Sequence, residues 1–338
     1  MDVVRVAAIG CGRQSSRNIQ VGIPRIPEFE FVATCDLDEN LARRNARQFG
    51  AGRWYTDFRL MLEKEQLDAA IVVGPPEMHS SVGREVALAG LHVFTEKPVS
   101  DNLEDGAAFV EAVEKSGKFG QVGHMQRHAD TVRLAKRVTQ GGTFGEVTFV
   151  ESKYHCPGPW TATGRIPTAL RTFNLYQTTH AVDLARHFGG DVRRLTATVQ
   201  PGDEGSYALA IMLEFAGGAL GWVNVNSCVP TMQTRLEVTG AGREFVAVDN
   251  LSELRHAPMA SYNDRASGYM GMSMSTWRQG ALASGHTRTG YSNQLEHFAQ
   301  SILAGTPPYP STRDGYEAVR CVFAIEESVA KRGAVDLA

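Results

Sequence analysis

Short apolar runs and helical stripes alternate through the first third of the chain. Residues 3–9, 29–35, 68–73, 91–95 and 119–123 are compact, largely apolar and bounded by glycine, proline or charged residues, which predicts buried strands. Between them Leu41, Ala42, Asn45, Ala46 and Phe49 recur at helical spacing before Gly50. Val82, Val86 and Ala89 share one face, and Leu103, Ala107, Val110 and Val113 form a stripe that ends at Gly117. Asp38 is placed to cap the first of these helices, and Ser100 or Asp101 the third. Such alternation is the pattern of a parallel sheet covered on both faces. Six strands are expected, with 68–73 the fourth and 119–123 the sixth.

Beyond residue 124 the rhythm changes. A helix runs up to Gly141-Gly142, and strands then follow one another at 146–154, 195–200, 207–215, 219–226, 234–239 and 244–248, as in an antiparallel sheet. Along 207–215, Leu209, Ile211, Leu213 and Phe215 alternate with Ala208, Ala210, Met212 and Glu214. One face therefore packs, and the other is polar enough for water yet apolar enough to pair subunits. Between the first two strands lie a loop with Pro157, Gly158, Pro159 and Trp160 and a helix over 175–188. Two helices close the chain, one striped by Gln294, Leu295, Phe298 and Ile302, the other by Ala318, Cys321, Val322, Ile325 and Val329. The fold class is α/β: a doubly wound Rossmann domain over residues 1–124, then an α+β domain over 125–338 with an open, largely antiparallel sheet.

The length of 338 residues suits two domains, and 43% hydrophobic content gives each a core. A net charge of -3 without long blocks of one sign argues against a nucleic-acid or membrane surface and for a small-molecule partner. Cys11, Cys35, Cys156, Cys228 and Cys321 are scattered and never spaced Cys-x-x-Cys, so neither a metal site nor a disulfide framework is indicated. The chain opens directly into a strand, with no basic leader and no apolar run long enough for a bilayer, and the expected location is the cytoplasm.

Chemistry gathers at the ends of the predicted strands, where open α/β sheets bind ligands. The first strand enters Gly10-Cys11-Gly12-Arg13-Gln14-Ser15, a turn whose glycines let backbone approach a pyrophosphate at a helix N-terminus. The third glycine of the usual fingerprint is replaced by Ser15. The second strand ends in Asp36, about 20 residues on, where an acid receives the ribose hydroxyls. A 2'-phosphate there would meet repulsion of about 4 kcal/mol per unit charge at 4 Å, so NAD is favoured over NADP, although Arg13 could hold a phosphate. The fourth strand breaks at Gly74-Pro75-Pro76, under the nicotinamide half. His79 follows in the next helix, where it either caps backbone groups or touches the cofactor. The fifth strand ends in Glu96-Lys97-Pro98, and Lys97 leaves the sheet edge where it can reach cofactor and substrate together. Gln126, just past the sixth strand, is grouped with the cofactor contacts. In the second domain Tyr176, His180, Asp183 and His187 fall at helical intervals on one face. The segment 256–291, with Trp277, His286 and Arg288, reads as a loop over the site or at a subunit contact.

This order of motifs resembles the Gfo/Idh/MocA family of oxidoreductases along essentially the whole chain. The likeness rests on residues 8–13, Cys35-Asp36, Gly74-Pro75-Pro76 with His79, the run into Glu96-Lys97-Pro98, Phe144-Gly145-Glu146-Val147, His180-x-x-Asp183 and residues 293–298. It implies a Rossmann domain, a C-terminal domain whose open sheet commonly mediates homodimers or homotetramers, and oxidation or reduction of a sugar or cyclic polyol. Many family dehydrogenases carry an Asp four residues before the His. Here Tyr176 stands in that place, so Lys-Asp-His becomes Lys-Tyr-His.

Hydride transfer at a secondary alcohol needs a group for the hydroxyl proton. His180 titrates near neutrality, whereas Lys97 would have to fall more than three units from about 10.4, a cost of about 4 to 5 kcal/mol. His180 is therefore read as the proton carrier, Lys97 as the charge that polarises the oxygen, Asp183 as the residue fixing the imidazole tautomer, and Tyr176 as donor or relay. Tyr154, Trp160, Arg165 and Arg171 are candidate sugar contacts, each equally readable as packing or an ion pair. Two rivals stand beside this reading: a redox-neutral NAD-dependent glycosidase, and a non-catalytic NAD-binding regulator.

Overall fold

The computed structural model describes residues 3–258, 263–264, 269–270, 274–280 and 288–337. The chain divides into two compact units, one of Met1–Met125 with Gly290–Val319, the other of Gln126–Thr289 with Arg320–Ala338.

The first unit is built on six parallel strands: β1 (Val4–Ile9), β2 (Phe29–Cys35), β3 (Arg53–Tyr55), β4 (Ala69–Val72), β5 (His92–Thr95) and β6 (Gly120–Val122), in the order β3-β2-β1-β4-β5-β6. The winding reverses between β1 and β4, which leaves a crevice at their carboxyl ends. Its helices are α1 (Glu39–Phe49), α2 (Phe58–Lys64), α3 (Pro76–Leu88) and α4 (Leu103–Ser116). Asp38 caps α1 by accepting from the Asn40 and Leu41 amides, and Gly50 ends it with φ of 81°. The cap of α4 is Asn102, which accepts from the Asp105 amide, in place of the Ser100 or Asp101 expected from sequence. Ser100 instead donates its hydroxyl to the Asn102 carbonyl, one step before the helix.

Residues 290–319 return to this unit for a packing reason. Leu295, Phe298 and Ile302 join Val4, Val6, Ile71 and Phe94 in one buried cluster. The sequence division at 124/125 assigns this stretch to the other domain, because the stripe reveals an apolar face and not the surface it covers.

The second unit carries the helix α5 (Asp130–Thr139) and a sheet opened by β7 (Val147–His155). A helical run follows: α6 (Ala169–Phe173), a π turn (Asn174–Thr178) and α7 (Thr179–Gly189). The later strands are β8 (Val192–Pro201), β9 (Tyr207–Phe215), β10 (Leu220–Asn226), β11 (Gln233–Gly240), β12 (Phe245–Asp249) and β13 (Glu253–Ala257). The small ladder of β14 (Asn263–Asp264) with β15 (Tyr269–Met270) precedes β16 (Ser275–Arg278). After α8 (Tyr291–Ala304), which belongs to the first unit, α9 (Thr312–Lys331) leads to β17 (Val335–Asp336). The large sheet has nine strands in the order β16-β13-β12-β11-β7-β10-β9-β8-β17, antiparallel except where β7 lies parallel to β10. Leu209, Ile211, Leu213 and Phe215 are buried, while Met212 on the other face is 41% exposed. The sequence reading missed β13, β16 and β17. β16 turns part of the 256–291 segment into a strand bearing Trp277, and His286 lies outside the described residues.

Candidate active site

Backbone comes first in the cofactor half. At Gly10, φ is 94° and an added Cβ would lie 1.9 Å from the Val73 carbonyl oxygen, so any side chain would drive the β1 and β4 ends apart. At Gly12 a Cβ would meet nothing within 4 Å, which is the open space a phosphate group needs against backbone. Asp36 is held beside this turn: its Oδ2 accepts the Cys11 amide at 2.7 Å and its Oδ1 the Asp38 amide at 2.9 Å. Each oxygen keeps a lone pair for a ribose hydroxyl. A cleft of about 760 Å³ runs past Gly10, Asp36, Leu37, Phe58, Gly74 and Pro75, and Leu37 is 95% exposed on its wall. The residues present therefore fit a dinucleotide: Asp36 would receive the adenosine ribose and the Gly10–Gly12 turn the pyrophosphate. Arg13 and Gln14 are exposed on this turn. A π turn, Ser15–Ile19, follows directly, closed by the Gln20 amide on the Ser15 carbonyl. Burial pushes the Cys11 thiol up to about 11 and the Cys35 thiol up to about 12, so both remain neutral packing groups.

His79 is a strut between two loops. The Gly74 amide donates to its Nε2 at 3.1 Å, so the proton sits on Nδ1, which donates to the Pro98 carbonyl at 2.8 Å. Both ring nitrogens are thus spent on backbone. Burial pushes the imidazole down to about 4, with Lys97 adding to the effect. The strut joins the Gly74-Pro75-Pro76 turn to Glu96-Lys97-Pro98, where β5 ends. Glu96 is buried, and its Oε2 accepts the Lys97 amide at 3.3 Å. Burial pushes its carboxyl up to about 7, against the pull of Lys97 and Gln14. Its Oε1 lies against Gly123, where a Cβ would come within 2.8 Å.

Tyr291 is a member of this cluster that sequence reasoning missed. The Gln14 amide donates to its phenol at 3.4 Å, and burial together with Glu96 pushes its ionisation well above the ordinary range. The signal was present: Tyr291 stands one turn before Leu295 on the same stripe.

The second group lies in the other unit. Tyr154, on the inward face of β7, stacks on His180 with ring centroids 5.1 Å apart and planes 15° apart. Both are buried. Asp183, one turn beyond His180, receives two bonds from Arg127, from Nε at 2.9 Å and Nη2 at 2.7 Å. Arg127 is the second residue missed, since a partner 56 positions away leaves no local pattern. Of the expected stripe, Tyr176 lies in the π turn, where the Thr179 amide reaches back to the Asn174 carbonyl. Tyr176 is half-exposed while His180 and Asp183 are buried.

Two of the candidate sugar contacts have partners within the second unit. Arg171 pairs with Glu326 at 2.6 Å and lies over the Phe323 ring at 4.6 Å. Trp160 packs on Phe173. Arg165 is exposed in the loop before α6, and Gln126 is buried in the turn before α5. Among the described residues no cluster of metal-ligating side chains occurs, and no helix is long and apolar enough to cross a membrane.

A doubly wound sheet with a preorganised carboxylate beside a glycine turn, joined to an α+β unit, defines a Rossmann-type dinucleotide-binding protein. Residues 4–124 match the description "Oxidoreductase family, NAD-binding Rossmann fold" and residues 132–246 the Gfo/Idh/MocA C-terminal domain. The chain belongs to the Gfo/Idh/MocA family of NAD-binding oxidoreductases. It is 27% identical to myo-inositol 2-dehydrogenase of Thermotoga maritima, over 99% of this chain and 98% of that one. A dehydrogenase from Chromobacterium violaceum superposes with a TM-score of 0.90 at 26% identity, over 98% and 97% of the two chains. Levoglucosan dehydrogenase in complex with NADH shares the fold, with a TM-score of 0.85 at 22% identity over 99% of each chain.

Proposed function

We propose that this protein moves a hydride between NAD and a secondary carbon of a sugar or cyclic polyol, as the relatives named for inositol and levoglucosan do. The observation that carries the reading is the placement of Lys97, at the carboxyl end of β5, tied through Pro98 and His79 to the Gly74 turn of the cofactor cleft. Bound NAD supplies a hydride acceptor, or as NADH a donor. Asp36 and the Gly10–Gly12 turn hold and orient it. Lys97, as an ammonium group, stabilises the negative charge that grows on the substrate oxygen. His180 takes or returns the hydroxyl proton, with Asp183 and Arg127 fixing the helix beneath it. Tyr176 is proposed as a donor to the substrate, and Tyr154 is assigned to the imidazole.

The test is a panel of cyclic polyols, aldoses and keto-sugars, followed by nicotinamide absorbance with NAD and NADP in parallel. Turnover with NAD is expected, and Lys97→Ala abolishes it while NAD affinity stays within a few-fold. A wild type inert across the panel would overturn the proposal in favour of a nucleotide-sensing role. Pairing of subunits through the open sheet face belongs to the same reading, supported by exposed Met212 lying opposite Trp222 on adjacent strands. Light scattering should give a dimer or tetramer, and a monomer at micromolar concentration would remove that part. The absence of any disulfide among the five cysteines supports a reducing, cytoplasmic setting.

A further inference from the structure

We propose that Tyr154 is the positioning residue for His180: its ring face fixes the plane of the imidazole and stabilises the protonated form during turnover. This rests on His180 being the proton carrier. The geometry is that of an offset stack, with centroids 5.1 Å apart and planes 15° apart, and an imidazolium at this distance lies within the range where an aromatic face attracts a cation. Tyr154 is 3% exposed and His180 5%, so water screens the contact little. A stack of this kind also removes ring rotation, which leaves the imidazole one direction in which to receive a proton.

Tyr154 stands out on the sheet that packs against α7. Three strands of the sheet lie against α7, and those strands turn Ser152, Tyr154, Val223, Val225, Leu236 and Val238 inward. Tyr154 is the one ionisable side chain among these six, with the Cys156 thiol just beyond the end of β7. On α7 the neighbouring acid Asp183 is neutralised by two bonds from Arg127, Arg186 pairs with Asp191, His187 lies two turns on from His180, and Tyr176 stands one turn before it. The protonated ring therefore draws its stabilisation from a π face as well as from its polar partners.

Three substitutions separate this role from a sugar contact. Tyr154→Phe keeps the face and removes the hydroxyl. Tyr154→Leu removes the face while keeping an apolar side chain that excludes water. A series of fluorinated phenylalanines at position 154 keeps the shape and drains the ring of electron density, so it stays informative if the leucine variant does not fold. In the full-length protein the imidazole of His180 is titrated by NMR, its signal identified by its loss in His180→Gln, and kcat and KM are measured against pH. The expected result is an unchanged His180 pKa in Tyr154→Phe. The pKa should fall by about one in Tyr154→Leu and stepwise along the fluorinated series, with the fall in kcat larger than the rise in KM. A His180 pKa that ignores fluorination overturns the proposal, as does a Tyr154→Phe variant whose KM alone rises, which would mark a substrate contact. Failure of the underlying reading looks different: His180→Gln would then turn over normally, while the NMR titration still reports on the stack.

Discussion

Replacement of His79 by glutamine tests how the cofactor edge is held together. The imidazole joins two loops only while it is neutral, because Nε2 must accept from Gly74 and Nδ1 must donate to Pro98. Its fall from the ordinary 6.5 to about 4 corresponds to about 3 kcal/mol of stability that depends on pH. The sign follows from which state binds the proton. Above pH 6.5 neither the folded nor the unfolded chain protonates this ring, and the stability is fully present. Between 6.5 and 4 the unfolded chain takes up the proton first, so stability falls, and below about 4 the loss levels off. Glutamine does not titrate and keeps at most part of the bridge. It should cost about 1–3 kcal/mol at pH 7 and much less relative to wild type near pH 4.5. Urea midpoints measured from pH 4.5 to 7.5 give the two curves. Hydrogen exchange of peptides spanning Gly74 and residues 92–99 shows whether the change arises at the strut. Parallel curves for wild type and variant would refute the reasoning, since the ring would then contribute nothing that depends on its protonation.

Three further outcomes follow from the same geometry. Asp36→Ala should weaken NAD binding at least tenfold by calorimetry and narrow the preference over NADP, because it removes the ribose acceptor and frees the Cys11 and Asp38 amides that now bind it; an unchanged preference would show that Asp36 does not face the ribose. Glu96, with its carboxyl pushed up to about 7, ionises more easily in the unfolded chain, so its cost is absent below pH 4.5, grows as pH rises from 4.5 to about 7 and levels off above that. Glu96→Gln should therefore gain stability relative to wild type at pH 8 compared with pH 5, read as a difference in Tm, and a constant difference would contradict the burial argument. Arg127 and Asp183 are 5% and 2% exposed at their side chains, so removing either alone should cost about 3–5 kcal/mol, whereas Arg127→Met with Asp183→Leu should recover much of it; additive losses in denaturation would mean the pair is not coupled.

What could be read from sequence was what neighbours in sequence determine. Gly10, Gly12 and Asp36 follow their strands by fixed steps, Asp38 caps the helix it precedes, and the Leu209 to Phe215 alternation needs only a period of two. The cap of α4 was misplaced by one or two residues because Ser100, Asp101 and Asn102 all have capping chemistry, and the choice among them depends on where the chain leaves the Pro98 turn. Contacts across long separations left no trace: Arg127 with Asp183, Tyr154 with His180, and Tyr291 with Gln14 each join stretches with unrelated periodicity. β16 and β17 are short strands at the edges of their sheet, too brief for any pattern to rise above composition.

The π turn shows how one local departure changes a chemical inference. A regular helix through 174–187 would stack Tyr176, His180 and Asp183 on one line, and on that line the tyrosine replaces the acid that many relatives carry, while Asp183 is left to orient the imidazole. Tyr176 falls instead in the widened turn at Asn174–Thr178, and Arg127 donates to both oxygens of Asp183. The ring also has a neighbour that no helical spacing could supply, the face of Tyr154 on β7. Wherever a π turn precedes a titratable residue on a packed helix, the search for its partners belongs on the opposing sheet as much as on the helix itself.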